Sequence, residues 1–559
     1  MSGASIGDGG ARARWNLGFW TLVPLIAWGV LIVFLILPLG AVLLSSLRGE
    51  AGGFSFENWG RLFSSPRYAK ALVNTLIIGA GGLAGALLLG GAMAFCLARL
   101  RIRGGRAISL LAILALVSPP FIGAYSWIVL FGSAGVVRKA LAGIGIEPPP
   151  IYGMWGILVV FAFKFYPYVY LLTSGALAQV NRSLEEAAEN LGLTPFQRVM
   201  KVSFPLALPA LSAGGLLALI HAIADFGTPR LIGRGFPVLA TEAYTAYSAE
   251  VGSNLGMATT LSIALIGLSM LFVLAQRRLA SRVNTHSNLV NKPDKVTLTG
   301  WRNALAHIVV YAIALGGATP AIVSLIYSFR KTSGPVFQPG FGLESYQRVA
   351  ATLSTPVINS LLFSLAAVAL IVVIGTLIGA YVTRRASIDA AALDGVLMIP
   401  YVMPGIVIGV AFIAAFNTPP LPLTGTAAII ILSIFIRRLP YAVRASAAAL
   451  RQVGPSMEEA AISLGLSPAR AFQRVTLPLI APGVIAGAML SFVTAINELS
   501  SSLVLYAGST KTMPVQIYLT INDGDYGVAA ALSTILLAVS GAAILIAFRL
   551  LGRDERALM

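Results

Sequence analysis

Twelve runs of about 20 or more mostly apolar residues recur along this chain, each long enough to cross a bilayer as a helix. They fall at 20–47, 71–98, 107–133, 152–178, 205–226, 257–276, 304–329, 358–383, 391–416, 424–446, 478–500 and 527–549. With a mean hydropathy of +0.85 over 559 residues and only 11% charged residues, a soluble core cannot hide that much apolar surface. The fold class expected is an all-α polytopic membrane protein with about twelve transmembrane helices. The first run exceeds the ~7–15 residues of a signal-peptide core, so it is expected to stay as a span. The tenth is interrupted by "IRRLPYAVR" (Ile436 to Arg444) and is expected to end near Ile436 or to break at Pro440.

Charge orients the spans. The net charge of +18 would suit a nucleic-acid binder, but its distribution gives another reading. With the N-terminus inside, the two densest basic clusters both fall on the cytoplasmic side. One is Arg99, Arg101, Arg103 and Arg106; the other is Arg277, Arg278, Arg282, Lys292, Lys295 and Arg302. The positive-inside rule then accounts for the charge, no nucleic-acid partner is needed, and both termini are expected to be cytoplasmic. Cys96 alone cannot form an intrachain disulfide and reads as a small apolar residue in a span.

The chain also repeats itself. "EEAAENLGLTP" (Glu185 to Pro195) returns as "EEAAISLGLSP" (Glu458 to Pro468) at an offset of 273 residues. From Glu185 to Gly214, 14 of 30 positions match their partners. "FSFENWGRL" (Phe54 to Leu62) is echoed by "FGLESYQRV" (Phe341 to Val349), and Asp225 falls opposite Glu498. Residues 1–276 and 304–559 are thus two copies of one six-span unit, joined by a polar cytoplasmic linker at 277–303 that contains His286. Six spans between equivalent points make the copies parallel, related by an axis along the membrane normal.

Each copy of the polar segment, 184–214 and 457–487, lies in a cytoplasmic loop. Acids open a short helix that Asn181 or Ser183 can cap in the first copy. Gly192 and Gly465 are placed to end it in a left-handed conformation, and Pro195 and Pro468 start a second helix. Pro205 and Pro478 mark entry into the next span. A single copy would read equally well as an amphipathic interfacial loop. Two copies in register suit a partner with two equivalent sockets.

Glu-Ala-Ala, Gly four residues on and Pro thirteen residues later resembles the EAA loop of ABC-importer permeases. The pattern stands at Glu186, Ala187, Ala188, Gly192 and Pro205, and again at Glu459, Ala460, Ala461, Gly465 and Pro478. The resemblance covers nearly the whole chain, as a fused pair of permease domains of a type I importer. It implies a bacterial inner-membrane location, a dimeric cytoplasmic ABC ATPase that docks on the loops, and a periplasmic solute-binding protein. These residues, with Glu185 and Glu458 beside them, would couple ATPase closure to the spans. Glu186 and Glu459 would be the polar contacts. No G-x-x-x-x-G-K-[ST] stretch is present, so ATP and magnesium would be used by the partner; no cofactor or metal is expected on this chain.

"IADFGTPRLIG" (Ile223 to Gly233) and "INELSSSLVLY" (Ile496 to Tyr506) resemble the ferric-iron branch, which is similar to thiamine, phosphonate and polyamine permeases. Asp225 and Glu498, with His221, Asn497 and Lys164, are candidates for the substrate pathway. Helix capping or snorkelling explains the two acids equally well. His221 lies one turn before Asp225 and is expected to hydrogen-bond it. Lys164 is read as the one basic residue inside a span. "SPPFIG" (Ser118 to Gly123) and "IPYVMPGIVIG" (Ile399 to Gly409) are expected to break or kink their helices. Carboxylates suit a cation, whereas Lys164, Arg230 and Arg234 suit phosphate or phosphonate, so cargo charge stays open. A secondary transporter with parallel repeats is the competing reading; a membrane enzyme or receptor has no catalytic constellation behind it.

Overall fold

In a computed structural model of the chain, residues 17–49, 53–249, 254–280, 295–334 and 336–550 are described. Most of the linker, including His286, lies outside them. Among the described residues ten helices are long and apolar enough to cross a membrane, and a bent pair makes an eleventh. In the first repeat they are Trp20–Ser46, Pro66–Arg99, Pro120–Ala142, Met154–Leu177, Val199–Ala224 and Leu255–Ala275. In the second they are Gly300–Ser328, Ser354–Arg384, Pro468–Ile496 and Tyr526–Ala547.

Three expected spans take another form. The third splits into Gly105–Val117 and Pro120–Phe131, with Ser118 and Pro119 extended between them. The ninth, Ile388–Val402 with Gly405–Phe416, turns through 109° at Met403 and Pro404. In both places a residue before a proline, for which the helical region is disfavoured, is extended, and the chain bends there. The tenth corrects the expectation. Helix Ala427–Val453 neither ends at Ile436 nor breaks at Pro440. Pro440 removes one internal hydrogen bond, but Ser354–Arg384 and Pro468–Ile496 pack along the helix, which continues past it. Pro167, inside Met154–Leu177, is tolerated in the same way.

Each repeat sends its first helix to the other. Leu17–Leu31 packs against Ser354–Arg384 and Ile388–Leu397 of the second repeat. Trp28 Nε1 donates to Asp389 Oδ1 at 2.6 Å, and Tyr381 donates to the other oxygen. Gly300–Ser328 packs in turn on Gly105–Val117 and Pro120–Phe131 of the first repeat. The main apolar core therefore draws residues from both repeats, from Trp20 to Leu536.

Small residues allow the inner helices of the first repeat to touch. A Cβ on Gly90 would sit 2.4 Å from Tyr166 O, so Pro66–Arg99 can meet Met154–Leu177 only with glycine there. Gly375 serves the corresponding contact in the second repeat, against Ala442.

Candidate coupling loops and intramembrane charge cluster

The two polar loops fold alike. Arg182–Asn190 and Ser456–Ser463 are the short helices, and Asn181 caps the first by accepting from Ser183 N. Gly192 and Gly465 have φ of 80° and 96° with open space around them. Leu193 N and Leu466 N reach back to Ala188 O and Ala461 O, closing both helix ends the same way. Ala188 and Ala461 are buried, while Ala187, Ala460, Glu186 and Glu459 face outward. Leu191 and Leu464 beside the bends are 80% and 87% exposed, an apolar tip on each loop.

Behind each loop runs a π-helical turn, Val199–Ser203 and Phe472–Thr476. Pro205 and Pro478, both exposed, come two residues after it. Proline offers no N–H and crowds the carbonyl four residues back, and a wider turn relieves that clash. In the loop motif these turns are marked by the prolines alone. They hold Ser203 and Thr476 against the inward acids: Ser203 donates to Glu185 at 2.6 Å and Thr476 to Glu458 at 2.8 Å. Glu185 also pairs with Arg99 at 2.7 Å.

The pathway candidates lie farther along the same helices. Asp225 and Glu498 each follow a helix end and cap the next short helix. Asp225 accepts from Gly227 N and Thr228 N, at the start of Gly227–Ile232. Glu498 accepts from Ser501 N, at the start of Ser500–Leu505. Glu498 carries a second role, as the shared partner of Arg437 and Arg438, the latter at 2.7 Å. The expected His221–Asp225 pair does not form. Asp225 is extended beyond the helix end and leaves the face of His221. The ring nitrogen Nδ1 instead meets Leu217 O at 2.8 Å, and the ring stacks on Tyr168 with centroids 4.8 Å apart. Asn497 donates to Val493 O and Ser540 Oγ.

Lys164 is not the one basic residue inside a helix of the membrane domain. Arg437 occupies its position in the second repeat, with Arg438 beside it, because Ala427–Val453 continues where the sequence suggested a break. The offset of 273 residues, which aligns Pro167 with Pro440, was the signal for this. The two halves use these cations differently. Lys164 Nζ donates to Ala115 O at 2.8 Å, Leu116 O at 2.9 Å and Ser118 O. These carbonyls are left over where Gly105–Val117 stops, and an ammonium is well suited to a helix C-terminus. Gly227, two residues after Asp225, packs close to Leu499, the neighbour of Glu498, so the two acid-bearing segments meet. The cluster therefore joins both repeats.

A separate cavity of about 430 Å³ opens on the first repeat, at the end remote from the coupling loop. Arg67, Arg230, Arg234 and Glu242 line it. Its equivalents in the second repeat, Leu503 for Arg230 and Ala507 for Arg234, are uncharged.

The family model for the binding-protein-dependent transport system inner membrane component matches residues 86–285 and again 371–556. The chain belongs to this family. It is a multi-pass inner-membrane permease with two such domains in one polypeptide. The ferric transport system permease protein FbpB of Actinobacillus pleuropneumoniae is 27% identical, over 92% of this chain and 75% of its own length. A probable ABC transporter permease, y4fN of Sinorhizobium fredii, is 28% identical over 96% and 97%. A putative 2-aminoethylphosphonate transport system permease, PhnU of Salmonella paratyphi A, is 33% identical over 48% of this chain and 93% of its own.

Proposed function

We propose that this permease is the membrane core of an ATP-driven importer for ferric iron. A dimeric cytoplasmic ABC ATPase, which uses the ATP and magnesium, docks on the two polar loops. A periplasmic binding protein delivers cargo to the opposite face, and both termini are cytoplasmic. Cargo crosses between the repeats by alternating access, with ATPase closure transmitted through the loops. The observation that carries this reading is the doubled loop. Each copy turns the second acid of its Glu-Glu pair outward, Glu186 or Glu459, and carries an exposed leucine, Leu191 or Leu464, on a glycine-fixed bend. Two like knobs match two like subunits of a dimer. The inward acids Glu185 and Glu458 tie the loops to the helices they would move. Ferric iron as cargo is supported by the similarity to ferric permeases over most of the chain.

The deciding experiment is uptake in vesicles holding the chain with its ATPase and binding protein. Labelled ferric iron should accumulate with ATP and without an ion gradient. Combined Glu186→Ala and Glu459→Ala should abolish that uptake while the protein stays folded. Uptake that follows an ion gradient and ignores ATP would overturn the reading in favour of a secondary transporter. A second cargo class, a phosphonate or phosphate ester, is favoured by the arginine-lined cavity and by the similarity to the 2-aminoethylphosphonate permeases. Thiamine and polyamines complete the panel to be offered.

A further inference from the structure

We infer that the cavity on the first repeat is an oxyanion-binding vestibule at the cargo-entry face, taking a phosphate, phosphonate or carboxylate group that travels with the cargo. The inference rests on the reading above only for which face the cargo enters.

Three guanidiniums meet there with one carboxylate. Arg67 sits at the start of Pro66–Arg99 and binds Glu242 Oε2 at 2.6 Å. Glu242 is buried while 60% of the Arg67 side chain is exposed, so the pair neutralises the carboxylate and leaves donors of Arg67 facing the opening. Arg230 uses Nε on the hydroxyl of Tyr518 from the other repeat, at 3.2 Å. Arg234 lies 3.7 Å over the ring of Tyr152, which fixes its plane without using its N–H groups. A guanidinium has five donors, and the named contacts use few of them. The remaining N–H groups line a recess whose volume falls in the range of small-ligand pockets, ~300–1,000 Å³, rather than forming a flat docking face. Helix Leu239–Ser248 starts at the same wall, with Thr241 and Thr245 lining the cavity, and its N-terminal end adds partial positive charge.

The charge balance selects the ligand. A bare multivalent cation would face three fixed cations against one carboxylate that is already paired. An oxyanion, or a metal complex made anionic by oxyanion ligands, finds planar forks of the kind that grip phosphate and carboxylate in two-point contacts. Because Leu503 and Ala507 replace Arg230 and Arg234 in the second repeat, the vestibule accepts one oxyanion on one side of the permease.

The test is binding of inorganic phosphate and of methylphosphonate to the purified full chain in detergent, by calorimetry, with no ATPase or binding protein present. This keeps it independent of whether ferric uptake is observed. Saturable binding is expected. Losing two charge-assisted contacts in the Arg230→Gln, Arg234→Gln protein should weaken it on the order of tenfold or more. Arg138→Gln, at an arginine outside the cavity that donates to Pro148 O and Ser133 O, should leave it unchanged. Conservative Arg230→Lys with Arg234→Lys should retain part of the affinity, which separates lost charge from lost fold. Absence of saturable binding overturns the proposal, as does equal loss in the Arg138 control. If neither anion binds, yet the double glutamine variant fails to capture the binding protein, the arginines serve protein docking and the vestibule reading falls.

Discussion

The two repeats agree at the polar loops and disagree in what the charges within their helices hold. Gly192 matches Gly465, Ala188 matches Ala461, and the π turns recur in register. Deeper in, Lys164 satisfies the frayed end of a broken helix, whereas Arg437 and Arg438 clamp Glu498. The two copies thus keep the same loop surface and differ in the interior. That is what an importer with two like ATPase subunits below and one asymmetric cargo inside would require.

The largest effect should come from breaking the interior difference. Glu498 is 3% exposed and is the shared counter-charge of two arginines. Glu498→Ala leaves both, each with a side chain only 15% exposed, without a counter-charge and is expected to cost about 3–5 kcal/mol. Asp225→Ala removes chiefly a helix cap and should cost about 1 kcal/mol. Thermal unfolding of the purified variants in detergent measures the contrast. Equal losses would show that the two acids do the same work.

The shared surface is tested next. Gly192→Val and Gly465→Val each force a β-branched side chain into a left-handed conformation, at about 1–3 kcal/mol of local strain. The bend should distort while the spans stay intact. Each variant should reduce stimulation of the ATPase by the permease, to a similar extent, and the double variant should remove it. A large effect in one loop and none in the other would break the equivalence of the repeats.

Much of this was legible in the sequence, because membrane helices and local caps are short-range physics. Apolar run length marks a span, and Gly192 with Glu185 marks a helix end, without knowledge of neighbours. What was not legible depends on tertiary partners. Pro440 reads locally as a break, yet packing on two sides carries the helix through it. Arg437 and Arg438 then read as loop residues, and nothing in the sequence ties them to Glu498. The exchange of first helices between the repeats leaves no trace in hydropathy. Of the candidate residues, the loop positions were placed by motif. His221 and Asp225 were separated by a backbone turn at Asp225 that spacing alone does not show. The vestibule joins Arg67 to Arg230 and Arg234, which lie far along the chain from it, and in the sequence only the latter two stand out, as basic residues beside Asp225.

A smaller contrast lies at the helix ends behind the loops. Arg99 Nη2 binds Glu185 at 2.7 Å and Ser203 at 3.2 Å. Its counterpart Arg384 donates to Gly454 O at 2.7 Å instead. Arg99→Met should cost about 1.5–3 kcal/mol through the lost charged hydrogen bonds and the stranded carboxylate. Arg384→Met removes a bond to a single carbonyl and should cost less than Arg99→Met in the same unfolding measurement.

The smallest expected effect is at the acids themselves, and its sign is informative. Glu185 has a cation and a hydroxyl; its side chain is 19% exposed. Glu458 is buried, receives Thr476 on one oxygen, and leaves Oε1 without a hydrogen-bond partner. Among the described residues no cation stands within ion-pair distance of it. Glu185→Gln should therefore lose about 1 kcal/mol, since an amide accepts more weakly from Arg99. Glu458→Gln removes a buried charge that has no counter-ion, and the amide oxygen can still accept from Thr476. The desolvation relieved offsets the weaker bond, so the change should lie within about ±0.5 kcal/mol of neutral. A large loss at Glu458 would mean that a cation reaches it in another state of the cycle; Arg384, the counterpart of the Arg99 that pairs with Glu185, is the residue to test. Unfolding in the presence and absence of the docked ATPase distinguishes these outcomes, because a state-dependent ion pair would make the cost of Glu458→Gln appear only in the complex.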